Sequence, residues 1–216
     1  MHIAQGYALV ILGLTLSLFL YVASIEHWTT AWWLCVHCSS IALVVVGGWW
    51  WWHMPPLTAN WVRATEQFSM AALLEAYMIP FVLWWRLAPQ SPFFTANVIV
   101  AFAAFAWLLL ALGAIIVETG HILADRELAR NGRLCMWLGP PLILVPLGCA
   151  LAVTTYFFLR AGLPPGLHSI RVGLMWPRWV VLVMIISPVL VLGAAIDARL
   201  HCLRAARWLE KNPRPA

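Results

Sequence analysis

Residues 94–117 read FTANVIVAFAAFAWLLLALGAIIV and contain no Asp, Glu, Lys or Arg. A helix needs about 20 mostly apolar residues to cross a bilayer, whose core offers no water to hydrogen-bond an exposed backbone. Five further stretches are similarly long and apolar: residues 7–25, 30–52, 68–85, 138–159 and 179–196. The connections between them are short, so neighbouring helices should pack antiparallel. The sequence therefore predicts an all-α fold, a single-domain polytopic transmembrane bundle of six spans.

The composition of the whole chain agrees with this fold class. Of its 216 residues, 63% are hydrophobic and only 10% are charged, whereas soluble domains carry about 25% charged residues. Such a chain lacks the polar surface of a soluble enzyme and the low hydrophobicity of a disordered protein. Its five cysteines are too few for a small disulfide scaffold.

The positive charges predict the orientation of the bundle. With a cytoplasmic N-terminus, nine of the 13 Lys and Arg residues fall on the cytoplasmic side, many of them in a basic tail over residues 199–216. Basic residues mark cytoplasmic loops, so both ends are expected inside and the net charge of +5 does not indicate a nucleic-acid partner. The expected partners are the lipid bilayer and other membrane proteins, and the expected location is a bacterial inner (plasma) membrane. Tryptophans at the bilayer interface give a predicted inner belt of Trp49, Trp50, Trp51, Trp52, Trp61, Trp137 and Trp208.

The first span has a second interpretation as a cleaved signal peptide. Val22, Ala23 and Ser24 are small enough for a signal-peptidase site. A signal peptide also requires positive charge before its apolar segment, but no Lys or Arg precedes this one. We expect a retained helix. Cleavage would leave five spans.

Polar side chains gather at the predicted cytoplasmic ends of the helices. Glu118, His121 and Asp125 are spaced to share one face if the fourth helix continues to a stop at Asn131-Gly132. The sixth helix carries a similar pattern, and the third begins near a glutamate; the candidate metal ligands are Glu66, Glu118, His121, Asp197 and His201. Carboxylates and imidazoles from different helices can bind Fe, Zn or Mn. The alternative is a ring of interfacial ion pairs with nearby arginines.

Glu75 is the one charged residue inside a predicted span. It lies about 13 Å beyond Glu66 along a helix axis, close to the bilayer midplane. An acid at this depth costs about 2.5–3.5 kcal/mol on insertion scales and often belongs to a proton or ion path. The alternative is a structural carboxyl, hydrogen-bonded to hydroxyls of neighbouring helices.

Two further chemistries to consider are a cysteine site and a haem b. Cys35 and Cys38 share a helix face, as a soft-metal site or a redox pair would require, although cysteine is also a common small apolar residue. A haem b needs two histidines facing each other at one depth. His53, His121 and His201 lie at helix ends, where a haem would be poorly shielded from water, so we do not expect one.

These patterns leave three hypotheses for function. The first is a non-catalytic subunit or assembly component of a larger membrane complex, for example a respiratory or redox complex. The second is a metal-dependent membrane enzyme that uses the cytoplasmic-face Glu, His and Asp residues. The third is a small proton-coupled transporter that uses Glu75 as its titrating group.

Overall fold

The computed structural model describes residues 2–23, 31–87, 92–160 and 178–212, and nearly all of them are helical. The helices are α1 (His2–Ala23), α2 (Ala31–Trp52), α3 (Ala59–Leu87), α4 (Pro92–Ile122), α5 (Arg126–Arg160) and α6 (Arg178–Lys211). Within these ranges, five helices are long and apolar enough to span a membrane, namely α1, α2, α4, α5 and α6. The predicted all-α transmembrane bundle is thus confirmed, while the spanning role of α3 and the orientation of the bundle stay predictions.

The six helices form a closed ring. Each helix packs against the next along the chain, and α6 returns to pack against α1. The fourth helix also contacts α6 across the ring, and its apolar segment is the most buried of the five candidate spans. Residues 94–117, the most apolar stretch of the sequence, therefore supply much of the core.

The helices extend well past the predicted spans at one end of the bundle. This end carries Glu118, His121, Asp125, Asp197 and His201, and we call it the polar end. The connections between helices at this end, residues 53–58 and 123–125, are short. The predicted basic tail is not a separate segment, because α6 continues without a break to Lys211.

The predicted continuation of α4 toward Asn131 is wrong. Ala124 has a φ of 55°, and the amide of Asp125 donates to the carbonyl of Gly120 at 2.8 Å. This left-handed C-terminal turn closes α4. Asp125 then begins α5, since its Oδ1 accepts hydrogen bonds from the amides of Glu127 and Leu128, each at 3.0 Å, as an N-cap does.

Gly132 serves packing rather than helix termination. It lies inside α5, and a Cβ atom built there would sit 2.7 Å from the backbone nitrogen of Val117 on α4. Only glycine allows the two backbones to approach this closely. Gly47 on α2 has a role of the same kind, since a Cβ atom built there would lie 2.6 Å from the Val10 side chain on α1.

The structure contradicts the predicted inner tryptophan belt at two positions. Trp49, Trp52, Trp137 and Trp208 are exposed, whereas Trp51 and Trp61 are each only 1% exposed. Those two rings pack inside the bundle and cannot reach lipid headgroups. Ser24, the last residue of the signal-like site, lies outside the described residues.

Candidate functional site

At the polar end, carboxylates lie against histidine rings and a threonine hydroxyl. His201 on α6 stands between two carboxylates: its Nδ1 lies 2.5 Å from Asp125 Oδ2, and its Nε2 lies 3.5 Å from Asp197 Oδ1. A protonated imidazole donates from both nitrogens, so this arrangement connects the α4–α5 turn to α6. The backbone amide of Leu128, and the charge of His201, lower the pKa of the Asp125 carboxyl.

Glu118 forms a second set of contacts at this end. Its Oε2 accepts a hydrogen bond from Thr58 Oγ1 at 3.1 Å, and its Oε1 lies 3.5 Å from His121 Nδ1. Thr58 also caps α3, because its hydroxyl accepts from the amide of Trp61 at 2.9 Å. These contacts hold the start of α3 against the end of α4.

The predicted metal ligands therefore divide between two sets of contacts instead of converging. Both ring nitrogens of His201 face carboxylates, which leaves neither one aimed at a shared metal position. Glu66 is exposed on α3. Within the four described ranges, no group of three or more His, Cys, Asp or Glu side chains is arranged to hold a metal ion. An Fe, Zn or Mn site stays a prediction from the sequence.

The two candidate cysteines on α2 lie apart from the polar end. The thiols of Cys35 and Cys38 are free and exposed, on the same helix as His37, which lines a partly open cavity between the helices. Glu75 on α3 lines the same cavity as His37. No spacing in the sequence joins these two residues, because they lie on different helices.

The cavity lies within the ring of helices and has a volume of about 220 Å³. Every helix contributes at least one lining residue, for example Leu14, Ile41, Glu75, Phe105, Ile143 and Pro188. Most of the lining is apolar, and the polar side chains are Ser17, His37 and Glu75. Largely apolar pockets with a few convergent polar groups are typical ligand sites.

Glu75 has an unusual position in this lining. Its Oε2 atom is buried and has no hydrogen-bond partner in the described part of the chain. The nearby hydroxyl of Ser17 is bonded to Ser40 instead. The sequence-based alternative of a carboxyl satisfied by neighbouring hydroxyls is therefore not what the structure shows for this oxygen. Trp61 Nε1 and Ser69 Oγ are also buried without a partner among the described residues, but Glu75 is the one of the three that lines the cavity. Such an atom is a candidate contact for a water molecule, an ion or a ligand.

A layer of aromatic rings separates the cavity from the polar end. Tyr7, Trp51 and Phe68 are each at most 1% exposed, and the Trp51 ring centroid lies 4.9 Å from that of Tyr7 and 5.4 Å from that of Phe68. The Tyr7 hydroxyl bonds Thr119 Oγ1 at 2.8 Å. We call these three rings the aromatic layer.

The chain order places this layer between the two polar regions. On α1, Tyr7 precedes the cavity residue Leu14, and on α3, Phe68 precedes Glu75. On α4, ten residues separate the cavity residue Leu108 from Glu118, about 15 Å along a helix. The cavity and the polar end are thus distinct sites.

Comparison with models of known protein families, with curated proteins and with solved structures finds no match to this chain. The structure shows a membrane-type helical protein, and the cavity around Glu75 is its best candidate site.

Proposed function

We propose that the protein is a small proton-coupled transporter in which Glu75 binds and releases the coupling proton. The observation that carries this proposal is that Glu75 lines a cavity formed by all six helices while its buried Oε2 has no hydrogen-bond partner among the described residues. A carboxyl with a purely structural role would be hydrogen-bonded to its neighbours.

The chemistry of a carboxyl suits proton coupling. In a largely apolar cavity the charged form is costly unless a cation or hydrogen-bond donors compensate it. The group is therefore neutral with a proton bound, or charged with a compensating partner. Occupancy of the cavity by a solute and occupancy of Glu75 by a proton become linked, which is the requirement for coupled transport.

The aromatic layer supplies the barrier that a transporter needs. Tyr7, Trp51 and Phe68 close the bundle between the cavity and the polar end. A solute can pass in that direction only when these rings move apart. Since Tyr7 is tied to Thr119 and packs on Trp51, movement of α1 relative to α4 would open the layer.

A flux assay on the full-length protein tests this function. Proteoliposomes containing a pH-sensitive dye would receive small cationic, neutral or anionic solutes, one class at a time. Wild-type protein should give solute-evoked proton movement with at least one class, and Glu75→Gln should abolish it. Glu66→Gln is the matched control, because Glu66 is an exposed carboxylate on the same helix. Absence of proton movement with all three classes, or equal movement in Glu75→Gln, would contradict the proposal.

A subunit role in a larger membrane complex is the second candidate. It is favoured by the short connections at residues 53–58 and 123–125, which leave little protein mass outside the helices at the polar end. Blue-native electrophoresis of gently solubilised native membranes tests it. Migration with a larger assembly would support this role, and migration only as a monomer or homodimer would contradict it. A bacterial inner membrane stays the predicted location.

A further inference from the structure

We propose that the cavity binds a small lipophilic cation, with its positive group against Glu75, in exchange for the proton on that carboxyl. This inference rests on the proposed transport function and adds the chemical class of the substrate. Three observations support it: the size of the cavity, the apolar and aromatic character of its walls, and the lack of Lys and Arg among its described lining residues.

The volume of the cavity suits a small molecule. An engineered protein cavity of about 150 Å³ binds benzene, so a cavity of about 220 Å³ accommodates one ring with a short branched substituent. The walls suit such a ring, because Phe102 and Phe105 of α4 line the cavity together with aliphatic side chains. Aromatic faces also attract cations.

The described lining of the cavity favours a cation over an anion, because it contains the carboxyl of Glu75 and no Lys or Arg. The two helices that pack against α3 are α2 and α4, and of these α2 contributes the titratable His37 to the lining. The α1, α4, α5 and α6 residues that line the cavity in the described part of the chain are uncharged, and none of the described lining residues is Lys or Arg. A bound cation would compensate the Glu75 carboxylate, whereas a bound anion would add a second negative charge in an apolar space.

The cation and the proton exchange because both bind to the same carboxylate, that of Glu75. When the cation enters, the O–H bond of the Glu75 carboxyl breaks and the proton passes to water. The carboxylate then forms an ion pair with the cation, and no covalent bond to the ligand is made. One proton leaves for each monovalent cation that binds, so the charge in the cavity is unchanged.

Benzyltrimethylammonium is a suitable probe because its charge does not depend on pH. Binding to the purified full chain in detergent would be measured by calorimetry, and proton release by a pH dye in weak buffer. We expect about one proton per bound cation and tighter binding as the pH rises. Neopentylbenzene, the uncharged analogue of the same shape, should release no protons.

Variants identify the group that exchanges. Glu75→Gln should weaken binding of the cation about thirtyfold or more, as loss of a buried charge partner does, and should abolish proton release. Glu66→Gln should bind and release protons like the wild type. His37→Gln should retain proton release. Loss of release in His37→Gln with full release in Glu75→Gln would assign the exchange to the imidazole and overturn the inference.

The binding and flux experiments fail in different ways. Proton movement evoked by neutral or anionic solutes, with no binding of benzyltrimethylammonium, would overturn the cation assignment and leave the transport function standing. Cation binding with proton release, but no flux in proteoliposomes, would support the cation site and contradict transport. Equal binding of the cation and neopentylbenzene would overturn the charge argument.

Discussion

The polar end and the cavity both contain carboxylates, but the two regions differ in whether the carboxylate oxygens have hydrogen-bond partners. At the polar end, Asp125 accepts from two backbone amides and lies against His201, and Glu118 accepts from Thr58. In the cavity, Glu75 Oε2 is buried without a hydrogen-bond partner in the described ranges. The first two carboxylates stabilise contacts between helices. The third is in a position that lowers stability, which indicates a role other than holding the fold.

The comparison predicts opposite effects on stability from removing carboxylates. Glu75→Met keeps an unbranched side chain of similar length and removes the unsatisfied oxygen, which costs about 1–3 kcal/mol when buried. We expect the free energy of unfolding to rise by about 2 kcal/mol, measured by thermal unfolding in detergent. Glu66→Met, at an exposed position, should change it by less than about 0.5 kcal/mol. A less stable Glu75→Met protein would show that Glu75 supports the fold.

Removing the carboxylate of Asp125 should destabilise the protein. Asp125→Ala deletes the N-cap of α5 and the contact with His201. Loss of an N-cap costs about 1 kcal/mol, and loss of a partly exposed ion pair costs up to about 1 kcal/mol. We expect a decrease of about 1–2 kcal/mol in the same unfolding assay. A decrease as large in Asp197→Ala, which loses only the longer 3.5 Å contact, would contradict the assigned role of the cap.

Thr58 offers a finer test of the polar end. Thr58→Ala removes both the cap of α3 and the donor to Glu118, so stability should fall by about 1 kcal/mol. Thr58→Ser keeps the hydroxyl and should retain most of that stability. If both variants lost the same amount, the methyl group rather than the hydroxyl would be responsible.

Acid should weaken the polar end through Asp125. The pKa of its carboxyl is lowered by the hydrogen bond from the Leu128 amide and by His201, so the charged form stabilises the folded state. This contribution is complete above the ordinary carboxyl pKa of about 3.9 and is lost as the pH falls through the lowered value. We expect Asp125→Asn to lose less stability than the wild type over that acidic range. Parallel pH profiles for the two proteins would contradict this assignment.

Much of this architecture is predictable from composition alone. The absence of charge from residues 94–117 indicates the most buried of the candidate spans, and the isolated acid Glu75 is a residue that lines the cavity. Gly47 is also recognisable as a close-contact position, because a glycine inside an apolar helix usually serves packing.

The remaining features depend on tertiary contacts that the sequence does not show. The α4–α5 turn places Ala124 in the left-handed conformation that usually selects glycine, so no glycine marks the end of α4. Gly132 suggests a helix stop but instead permits contact with Val117. Trp51 and Trp61 are buried although tryptophan near a helix end is typical of the bilayer interface. The cavity itself needs all six helices in place.

Infrared difference spectroscopy tests the role of Glu75 most directly, because a protonated carboxyl has a carbonyl stretching band that a carboxylate lacks. Benzyltrimethylammonium would be added to the purified protein at neutral pH. We predict that the wild type loses a protonated-carboxyl band when the cation binds, and that Glu75→Gln shows no such loss. A wild-type spectrum without a carboxyl change on binding, or the same band loss in Glu75→Gln, would contradict the account.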